Sequence, residues 1–508
     1  MRSKKTIINV FISLTLQIIA IICGLIVPRL IINTYGSGVN GLISSINQFL
    51  SYIVLLEAGV GGVVRAALYK PLSSNDISSV SKIIKATEKF FKKIAYIFLI
   101  YLFIIAVVFP YLVNKDFNSF FTFILILIIG ISTFFQYYFG ITYQILLQAD
   151  QRQYVTSIIQ IVTMIINTIL VVILIKFGFN IQFVKLASSV IFIIRPILLS
   201  WYVNKKYNII KNCKADNNAI KQRWDGFGHH IAFFILENTD IVIITLFMNL
   251  KEVSVYSVYF MIISNVRILT VTFSSSIEAA FGNMIAKNEK ENLEKNFKIF
   301  ELLSFTITTI LFSSTALLIL SFISLYTKGI TDINYYRPIF AYIMIFAYAI
   351  YCIRVPYNSV VLAAGHYKQT RNGAFVEAMI NIVLSIILVK YLGIIGVAIG
   401  TFCAMLFRTI QYAIYLSKNI IKRSIFEFVK KVIVYIIDAI IIIFVVNFCL
   451  SIGTNSYIEW FEYAIEVTLI SCIITFVVNL LFYFDDLKNI FIIIRSISRN
   501  KFSNKIKN

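Results

Sequence analysis

The sequence predicts an all-α integral membrane protein of about fourteen transmembrane helices, and three observations support that prediction. Hydrophobic residue types make up 59% of the 508 residues, and charged types make up only 14%, against roughly 25% in an ordinary soluble domain. The mean hydropathy of the chain is +0.85. Apolar runs of about 20 residues, the length that crosses a bilayer as a helix, recur from one end to the other. This composition excludes a soluble globular enzyme.

The predicted spans are apolar segments divided at Gly, Pro, Asn and clusters of charge. They lie at approximately 7–32, 40–68, 94–113, 119–147, 154–176, 181–203, 228–249, 253–284, 299–326, 337–363, 373–390, 393–417, 429–451 and 460–484. The second and eighth are too long for one straight crossing, so we expect them to tilt or to extend beyond the bilayer. The first is too long for the apolar core of a signal peptide, so we expect it to remain as a helix.

The distribution of basic residues tests this map independently. The chain has 46 Lys and Arg against 24 Asp and Glu, but the basic residues recur between apolar segments rather than forming the single patch typical of nucleic-acid binding. With the N-terminus in the cytoplasm, 33 of them fall in cytoplasmic segments and 6 in outward loops. A missed span would exchange the sides of all later loops, so this bias predicts that both termini are cytoplasmic.

An internal repeat divides the chain into two similar halves. The stretch Leu146-Leu147-Gln148-Ala149-Asp150 realigns on Val361-Leu362-Ala363-Ala364-Gly365 with a shift of about 214 residues. This shift covers six helices, an even number, so the two copies keep the same orientation, the arrangement by which many transporters build a cavity between two lobes. We therefore predict an N-lobe at 1–225 with spans 1–6, a C-lobe at 226–423 with spans 7–12, and spans 13 and 14 with a basic cytoplasmic tail at 424–508.

No motif in the sequence indicates catalysis or a metal site. The nucleotide-binding patterns GxGxxG and the P-loop do not occur, nor does the hydrolase pattern GxSxG. The three histidines, His229, His230 and His366, do not have the spacing of metal ligands. We therefore predict a protein that is not an enzyme, with no catalytic residue, no cofactor and no metal.

Basic residues inside the predicted spans are candidate binding residues. An ionised side chain there costs a few kcal/mol, so it usually faces a protein interior or an aqueous cavity. Six of the seven are arginines, whose guanidinium binds phosphate oxygens in a bidentate manner. The set comprises Arg29, Arg65, Lys185, Arg195, Arg267, Arg354 and Arg408.

Three of these arginines are predicted to bind an anionic head group in the cavity between the lobes. Arg29 and Arg65 lie on spans 1 and 2, and Arg267 lies on span 8, the counterpart of span 2. The alternative is that each arginine extends to an interface or neutralises a nearby carboxylate. We favour that alternative for Arg195 and Arg408, which are duplicated next to a cytoplasmic helix end.

Glu57 is assigned to the same substrate site because it precedes Arg65 on span 2. On a continuous helix the two residues are about 12 Å apart along the axis, too far to pair directly. Glycines between them, including Gly59, are compatible either with close helix packing or with a break in the helix.

Oxygen-bearing side chains on spans 7 and 11 are the candidates for coupling transport to an ion. Residues at i and i+3 or i+4 share a helix face, so each span presents a small polar cluster. We predict that these clusters bind H⁺ or Na⁺, whose gradient drives transport; the alternative is that each carboxylate balances a neighbouring arginine. The candidates are Glu237, Asn238 and Asp240 on span 7, and Glu377 and Asn381 on span 11.

Two stretches near the N-terminus resemble a known family. They are Pro28-Arg29-Leu30 with Tyr35-Gly36 and Gly41-Leu42 after it, and Leu56-Glu57-Ala58-Gly59-Val60-Gly61 with Arg65 and Leu68-Tyr69-Lys70-Pro71-Leu72. These stretches resemble the polysaccharide-repeat flippases of the MOP (multidrug, oligosaccharidyl-lipid, polysaccharide) exporter superfamily. The resemblance covers spans 1–12 in layout and is most specific in the first hundred residues.

The resemblance implies a function and a substrate. It implies alternating access between two six-helix lobes in the bacterial cytoplasmic membrane. The substrate would be a sugar repeat unit on undecaprenyl diphosphate, carried to the outer leaflet for lipopolysaccharide or capsule synthesis. By the same resemblance, Arg29, Arg65 and Arg267 would contact the diphosphate or acidic sugars. Membrane lipids and polysaccharide assembly proteins would be further partners, and nucleic acid would not.

Two alternatives stay open at this point. The first is a multidrug exporter or a peptidoglycan-precursor flippase of the same superfamily, although cationic drugs should disfavour a cavity lined by arginine. The second is a membrane polymerase or ligase that acts on the same lipid-linked sugars. Such enzymes usually carry catalytic groups on a sizeable outward loop, and every predicted outward loop here is short.

Overall fold

A computed structural model describes residues 2–57, 59–113, 116–210, 213–216, 227–272, 275–450 and 456–490. All regular structure in these residues is helical. The α-helices are α1 (Arg2–Tyr35), α2 (Ser37–Ser51), α3 (Val60–Ser73), α4 (Ile77–Leu112), α5 (Ser119–Phe135), α6 (Ile141–Ala149), α7 (Gln153–Lys176), α8 (Ile181–Lys206), α9 (Phe227–Phe247), α10 (Leu250–Thr272), α11 (Ser275–Ala286), α12 (Lys290–Tyr326), α13 (Pro338–Ala363), α14 (Tyr367–Leu392), α15 (Ile394–Asn419), α16 (Ile425–Cys449) and α17 (Tyr457–Phe482).

Each of the fourteen predicted spans coincides with a helix or with consecutive helices. Thirteen helical segments within the described residues are long and apolar enough to cross a membrane. The predicted seventh span is α9, a helix of 21 residues, which also reaches the length of about 20 residues that a crossing needs. The predicted all-α membrane architecture is therefore confirmed.

Two helices begin earlier than the hydropathy of the sequence indicates. We predicted spans from about 94 and 299, whereas α4 begins at Ile77 and α12 at Lys290. Asp76 caps α4, since its carboxylate accepts a hydrogen bond of 3.0 Å from the backbone N–H of Ser79. The lysine-rich segment before span 3 is thus helical, and hydropathy missed it because polar helical turns carry no apolar signal.

The helix boundaries repeat along the chain as the sequence repeat predicts. The first residues of α10 and α12 lie 213 positions after those of α2 and α4, and both ends of α15 lie 213 positions after those of α8. Asn75 and Asn288, also 213 positions apart, each adopt a left-handed conformation with φ of 55° and 56°. The two copies therefore share their turns as well as their helices, which confirms the pseudo-symmetric design.

Span 2 is broken, which decides between the two interpretations of its glycines. After α2 the chain continues as a 3₁₀ segment, Tyr52–Glu57, and α3 begins only at Val60. Gly59 precedes α3 with φ of 74°, a left-handed conformation that glycine adopts without steric cost. Ala58 lies outside the described residues. Span 8 comprises α10 and α11, and residues 273 and 274 between them lie outside the described residues.

Span 4 is irregular at its centre. A five-residue π turn, Gln136–Gly140, lies between α5 and α6. Single π turns within α-helices are frequent at functional sites.

The described helices form two compact units. Unit 1 comprises Met1–Ser257 and Gly329–Ile333, and unit 2 comprises Val258–Lys328 and Asn334–Asn508. In unit 1, α1 packs on α2 and α7, and α8 packs on α5 and α7. In unit 2, α12 packs on α13, α16 and α17, and α15 packs on α13 and α14. The predicted lobe boundary at residue 225 stays a prediction.

Glycines bring α14 and α15 close together in unit 2. A Cβ atom added at Gly396 would overlap the backbone of Leu388, and one at Gly400 would overlap the Ser385 hydroxyl. These two glycines form the small-xxx-small pattern of closely packed membrane helices. Because the backbones approach, Asn381 Nδ2 on α14 donates a hydrogen bond of 2.9 Å to Thr401 Oγ1 on α15.

Candidate functional site

Glu57 and Arg65 lie on opposite sides of the break in span 2 and each contacts span 4. The Tyr137 hydroxyl, in the π turn, donates a hydrogen bond to Glu57. Arg65 Nη1 on α3 donates a hydrogen bond of 2.7 Å to Gln148 Oε1 on α6. The irregular part of span 2 is thereby bonded to the irregular part of span 4, and both residues belong to unit 1.

Arg29, the third candidate of unit 1, lies on α1. It directly follows Pro28, the only proline within that helix, and its side chain is partly buried. A proline removes one backbone hydrogen bond of a helix and favours a bend there.

An arginine row is the main cationic feature of unit 2; we use this name for Arg267, Arg354 and Arg408. The ring of Tyr351 contacts the first two, with the Cζ atom of Arg267 5.2 Å and that of Arg354 4.6 Å from its centroid. Arg267 also lies 5.3 Å from the ring of Tyr348. Aromatic faces attract guanidinium groups at these distances, so the two tyrosines help to hold the cations in place.

Glu377 pairs with Arg354 and Arg408, the two buried arginines of the row. Its Oε1 is 2.5 Å from Arg354 Nη1, and its Oε2 is 3.5 Å from Arg408 Nε. All three side chains are almost fully buried, whereas Arg267 is partly exposed. The arginine row with Glu377 therefore contains three guanidinium groups and one carboxylate, and its accessible end is Arg267.

Unit 1 contains the same helix contact without the carboxylate. Arg195, which lies 213 positions before Arg408, donates a hydrogen bond of 2.6 Å from Nε to Thr163 Oγ1. Thr163 in turn lies 214 positions before Glu377. The alternative that we favoured for Arg408, neutralising a nearby carboxylate, agrees with its contact to Glu377.

The ion-coupling candidates are divided between the two units. Asn238 on α9 accepts a hydrogen bond of 2.7 Å from Gln48 Nε2, and Asp240 accepts one of 2.8 Å from the Tyr256 hydroxyl. Glu237 is partly buried on the same helix. These residues belong to unit 1, whereas Glu377 and Asn381 belong to unit 2. Their role in binding an ion stays a prediction.

Comparison with known proteins shows the fold. No protein-family model and no curated protein sequence matches the chain. The solved structure of the lipid II flippase MurJ in an inward closed conformation matches with a TM-score of 0.69 and 17% identity, covering 94% of this chain and 99% of that chain. An inward-facing multidrug resistance MATE family transporter of the MOP superfamily matches with a TM-score of 0.57 and 13% identity, covering 80% and 96%. The chain has the MOP fold.

A third match extends this result. A variant of the Vibrio cholerae MATE transporter VcmN matches with a TM-score of 0.55 and 12% identity, covering 84% of this chain and 99% of that chain. With its candidate spans, the MOP fold makes this chain a multi-pass membrane protein. The predicted all-α, MOP/MATE-like fold is the one found, and the division into two six-helix lobes stays a prediction.

The sequence analysis missed an ionic cluster that joins α12 to the start of the C-terminal segment within unit 2. Glu301 on α12 is 1% exposed and lies 2.5 Å from Arg423 Nη2 and 2.9 Å from Lys431 Nζ. The Tyr357 hydroxyl also donates a hydrogen bond to it. Burial alone would lower the pKa of Arg423, but its hydrogen bond to Glu301 and the charge of that carboxylate raise the pKa above its usual value.

Other missed residues are the neutral partners of the predicted ones. Tyr137, Gln148 and Thr163 each bond a charged candidate, yet none carries charge that would single it out. The sequence repeat could have identified Thr163, because it aligns with Glu377. Glu301 could have been identified from its position, because it lies inside a predicted span.

Proposed function

We propose that the protein is a flippase for undecaprenyl-diphosphate-linked oligosaccharide repeat units. It moves them from the inner to the outer leaflet of the bacterial cytoplasmic membrane by alternating access, for surface polysaccharide synthesis. The observation that supports this proposal most strongly is the arginine row of unit 2, in which Arg354 and Arg408 are buried against Glu377 and Arg267 is partly exposed.

The guanidinium groups of the arginine row favour a diphosphate over a cationic drug. Guanidinium groups form bidentate hydrogen bonds with phosphate oxygens, and Arg267 is the member of the row that is partly exposed. Arg354 and Arg408 are buried, so solvent screens their charge less than it would at a surface. A cationic drug would be repelled by the same residues, which disfavours the multidrug-exporter alternative.

A second candidate substrate is the peptidoglycan precursor. The specific observation in its favour is the MurJ structure, which is named as a lipid II flippase and aligns over 94% of this chain. Both substrates carry the diphosphate that the arginine row would bind, so only the sugar part separates them. Transport assays with each lipid decide between them.

The decisive experiment measures lipid transfer in proteoliposomes. The full-length protein is reconstituted with labelled undecaprenyl-diphosphate oligosaccharide, and transfer is followed as exposure of the label to an impermeant reagent. We expect Arg267→Ala to slow transfer about tenfold or more, since a hydrogen bond to a charged group contributes about 1.5–3 kcal/mol. Arg267→Lys keeps the charge and should retain part of the rate. An unchanged rate in Arg267→Ala would remove the arginine row from the substrate path.

Arg65 has a matched control in its own hydrogen-bond partner. Arg65→Ala removes both the charge and the bond to Gln148, whereas Gln148→Ala removes only the bond. If Arg65 binds substrate, transfer should fall strongly in the first variant and little in the second. Equal losses in both variants would mean that Arg65 acts only by holding α3 to α6.

The proposal includes a coupling ion, either H⁺ or Na⁺. We assign the binding of this ion to side chains of α9 rather than to Glu377, because two arginine partners already balance the negative charge of Glu377. On α9, Asp240 is 5% exposed and accepts a hydrogen bond from the neutral hydroxyl of Tyr256. Asp240→Asn should therefore change the dependence of transfer on an ion gradient more than Glu377→Gln does.

A further inference from the structure

A line of polar residues runs between α12, α16 and α17 in unit 2, and we call it the C-terminal polar seam. One layer joins all three helices, since Tyr435 donates to Asn479 Oδ1 at 2.6 Å and lies 3.0 Å from Thr306 Oγ1. A second layer, further along α12 and α17, is the hydrogen bond of 3.3 Å from Ser314 to Ser471. Both layers are satisfied by hydrogen bonds between neutral groups.

Asp438 lies between these two layers. It is one turn after Tyr435, near the middle of the 25-residue helix α16, and it is 0% exposed. Neither of its carboxylate oxygens has a hydrogen-bond partner among the residues that the structure describes. Thr475 lies on α17 one turn from both Ser471 and Asn479, it is 0% exposed, and its hydroxyl likewise has no hydrogen-bond partner among the described residues.

The neighbouring helices offer Asp438 no counter-charge within the described part of the chain. On α16 the nearest cation is Lys431, two turns away, and it is bound to Glu301 of α12 at 2.9 Å. The buried titratable groups on α16 and α17 include the phenols of Tyr435 and Tyr463, and the ring of Tyr483 stacks on that of Tyr435. An ionised carboxylate at the centre of a membrane helix is costly unless a positive charge accompanies it.

We propose that Asp438 binds a monovalent cation in the C-terminal polar seam, at a site separate from both the arginine row and the α9 carboxylates. Either a proton or Na⁺ would supply the one positive charge that neutralises this buried carboxylate. A proton would occupy one carboxylate oxygen, and Na⁺ would share that oxygen with the Thr475 hydroxyl. The site lies outside the duplicated helices, so it is an addition to the twelve-helix core.

The experiment uses the full-length protein in detergent or nanodiscs and has two arms. In the sodium arm, the melting temperature is measured as NaCl replaces choline chloride at constant ionic strength. In the proton arm, the infrared carbonyl band of a protonated carboxyl group is followed against pH in sodium-free buffer. Each arm compares the wild type with Asp438→Asn, which is neutral and nearly the same shape. Glu466→Gln, on an exposed face of α17, is the control.

We expect one of the two signals in the wild type, its loss in Asp438→Asn, and its retention in Glu466→Gln. A sodium-dependent rise in melting temperature identifies Na⁺, and a protonated carboxyl band at neutral pH identifies the proton. If Asp438→Asn does not fold, Thr475→Val is measured instead. A change of at least twofold in sodium affinity, or a shift in the pH midpoint of the carboxyl band, then supports the site. Signals that are the same in the wild type and these variants overturn the proposal, whatever the transport activity.

Discussion

Glu377 shows how one buried charge depends on its neighbours. Its two oxygens contact two different arginines, Arg354 from α13 and Arg408 from α15, so one side chain on α14 joins three helices. A Cβ atom added at Gly373 on the same helix would overlap the Arg408 guanidinium, which shows how closely the packing follows this contact.

Removing this carboxylate should destabilise the protein. Glu377→Gln would leave two buried guanidinium groups without their counter-charge, and breaking a buried ion pair in this way costs about 3–5 kcal/mol. Denaturant or thermal unfolding in detergent measures the change. The control is Glu294→Gln, which removes an exposed pair with Lys298 and should cost about 1 kcal/mol or less. A Glu377→Gln variant as stable as the control would contradict this role.

For single residues, the sequence showed which charges lie within the spans but not which of them contact each other. Arg354, Arg408 and Glu377 were identified as intramembrane charges because hydropathy makes any charge in an apolar run conspicuous. Their pairing depends on the packing of α13, α14 and α15, which residue types alone do not determine. Glu301 was missed because it lies near the end of a predicted span and its partners follow more than a hundred residues later.

Among the elements, the broken span 2 is the most distinctive. The 3₁₀ segment before the break and the π turn of span 4 are joined by the hydrogen bond from Tyr137 to Glu57. This bond joins a side chain of one irregular segment directly to a side chain of the other. Movement at one irregular segment would therefore be transmitted to the other.

Substituting the glycine at the break tests how strongly the chain holds that conformation. Gly59→Ala places a Cβ atom on a residue with φ of 74°, which should cost about 1–2 kcal/mol of unfolding free energy. Gly62→Ala is the matched control, because Gly62 is helical and its added Cβ atom would meet only Arg65 Nη2 at 3.9 Å. That variant should be neutral or stabilised by up to about 1 kcal/mol. Equal stability of the two variants would mean that the break does not require a left-handed residue.

The sequence predicted which elements exist better than where they end or break. Long apolar runs identify spans, so all fourteen have their helices. The glycines around Gly59 fit close packing and a break equally well, since glycine serves both, and only the structure shows the left-handed turn. The polar first turns of α4 and α12 were missed because their stability comes from capping and packing rather than from hydropathy.

At the scale of the whole molecule, the duplication is the feature that the sequence predicted most fully. Helix ends and left-handed turns recur 213 positions apart, because the copies share both their apolar runs and their turn residues. The division into compact units was not foreseen in the same way, since α9 belongs to unit 1. Contacts across the bundle decide that grouping, and a hydropathy profile contains no contacts.

The orientation of the whole chain is a direct prediction of its basic residues. We expect both termini in the cytoplasm, with the turn between α3 and α4 inside and the turn after α12 outside. In a variant whose six native cysteines are replaced, Lys328→Cys should react with an impermeant maleimide on intact cells. Ser74→Cys should react only after the membrane is permeabilised. The reverse pattern would invert the topology.

The ionic cluster around Glu301 makes the last two helices an integral part of the protein rather than a removable appendage. A truncation after α15, designed to obtain a minimal twelve-helix transporter, would delete both Arg423 and Lys431. The shortened chain would then carry Glu301 on α12 without its two cationic partners, which should destabilise it. A shorter version of this protein would need Glu301 replaced by an uncharged residue before the cut is made.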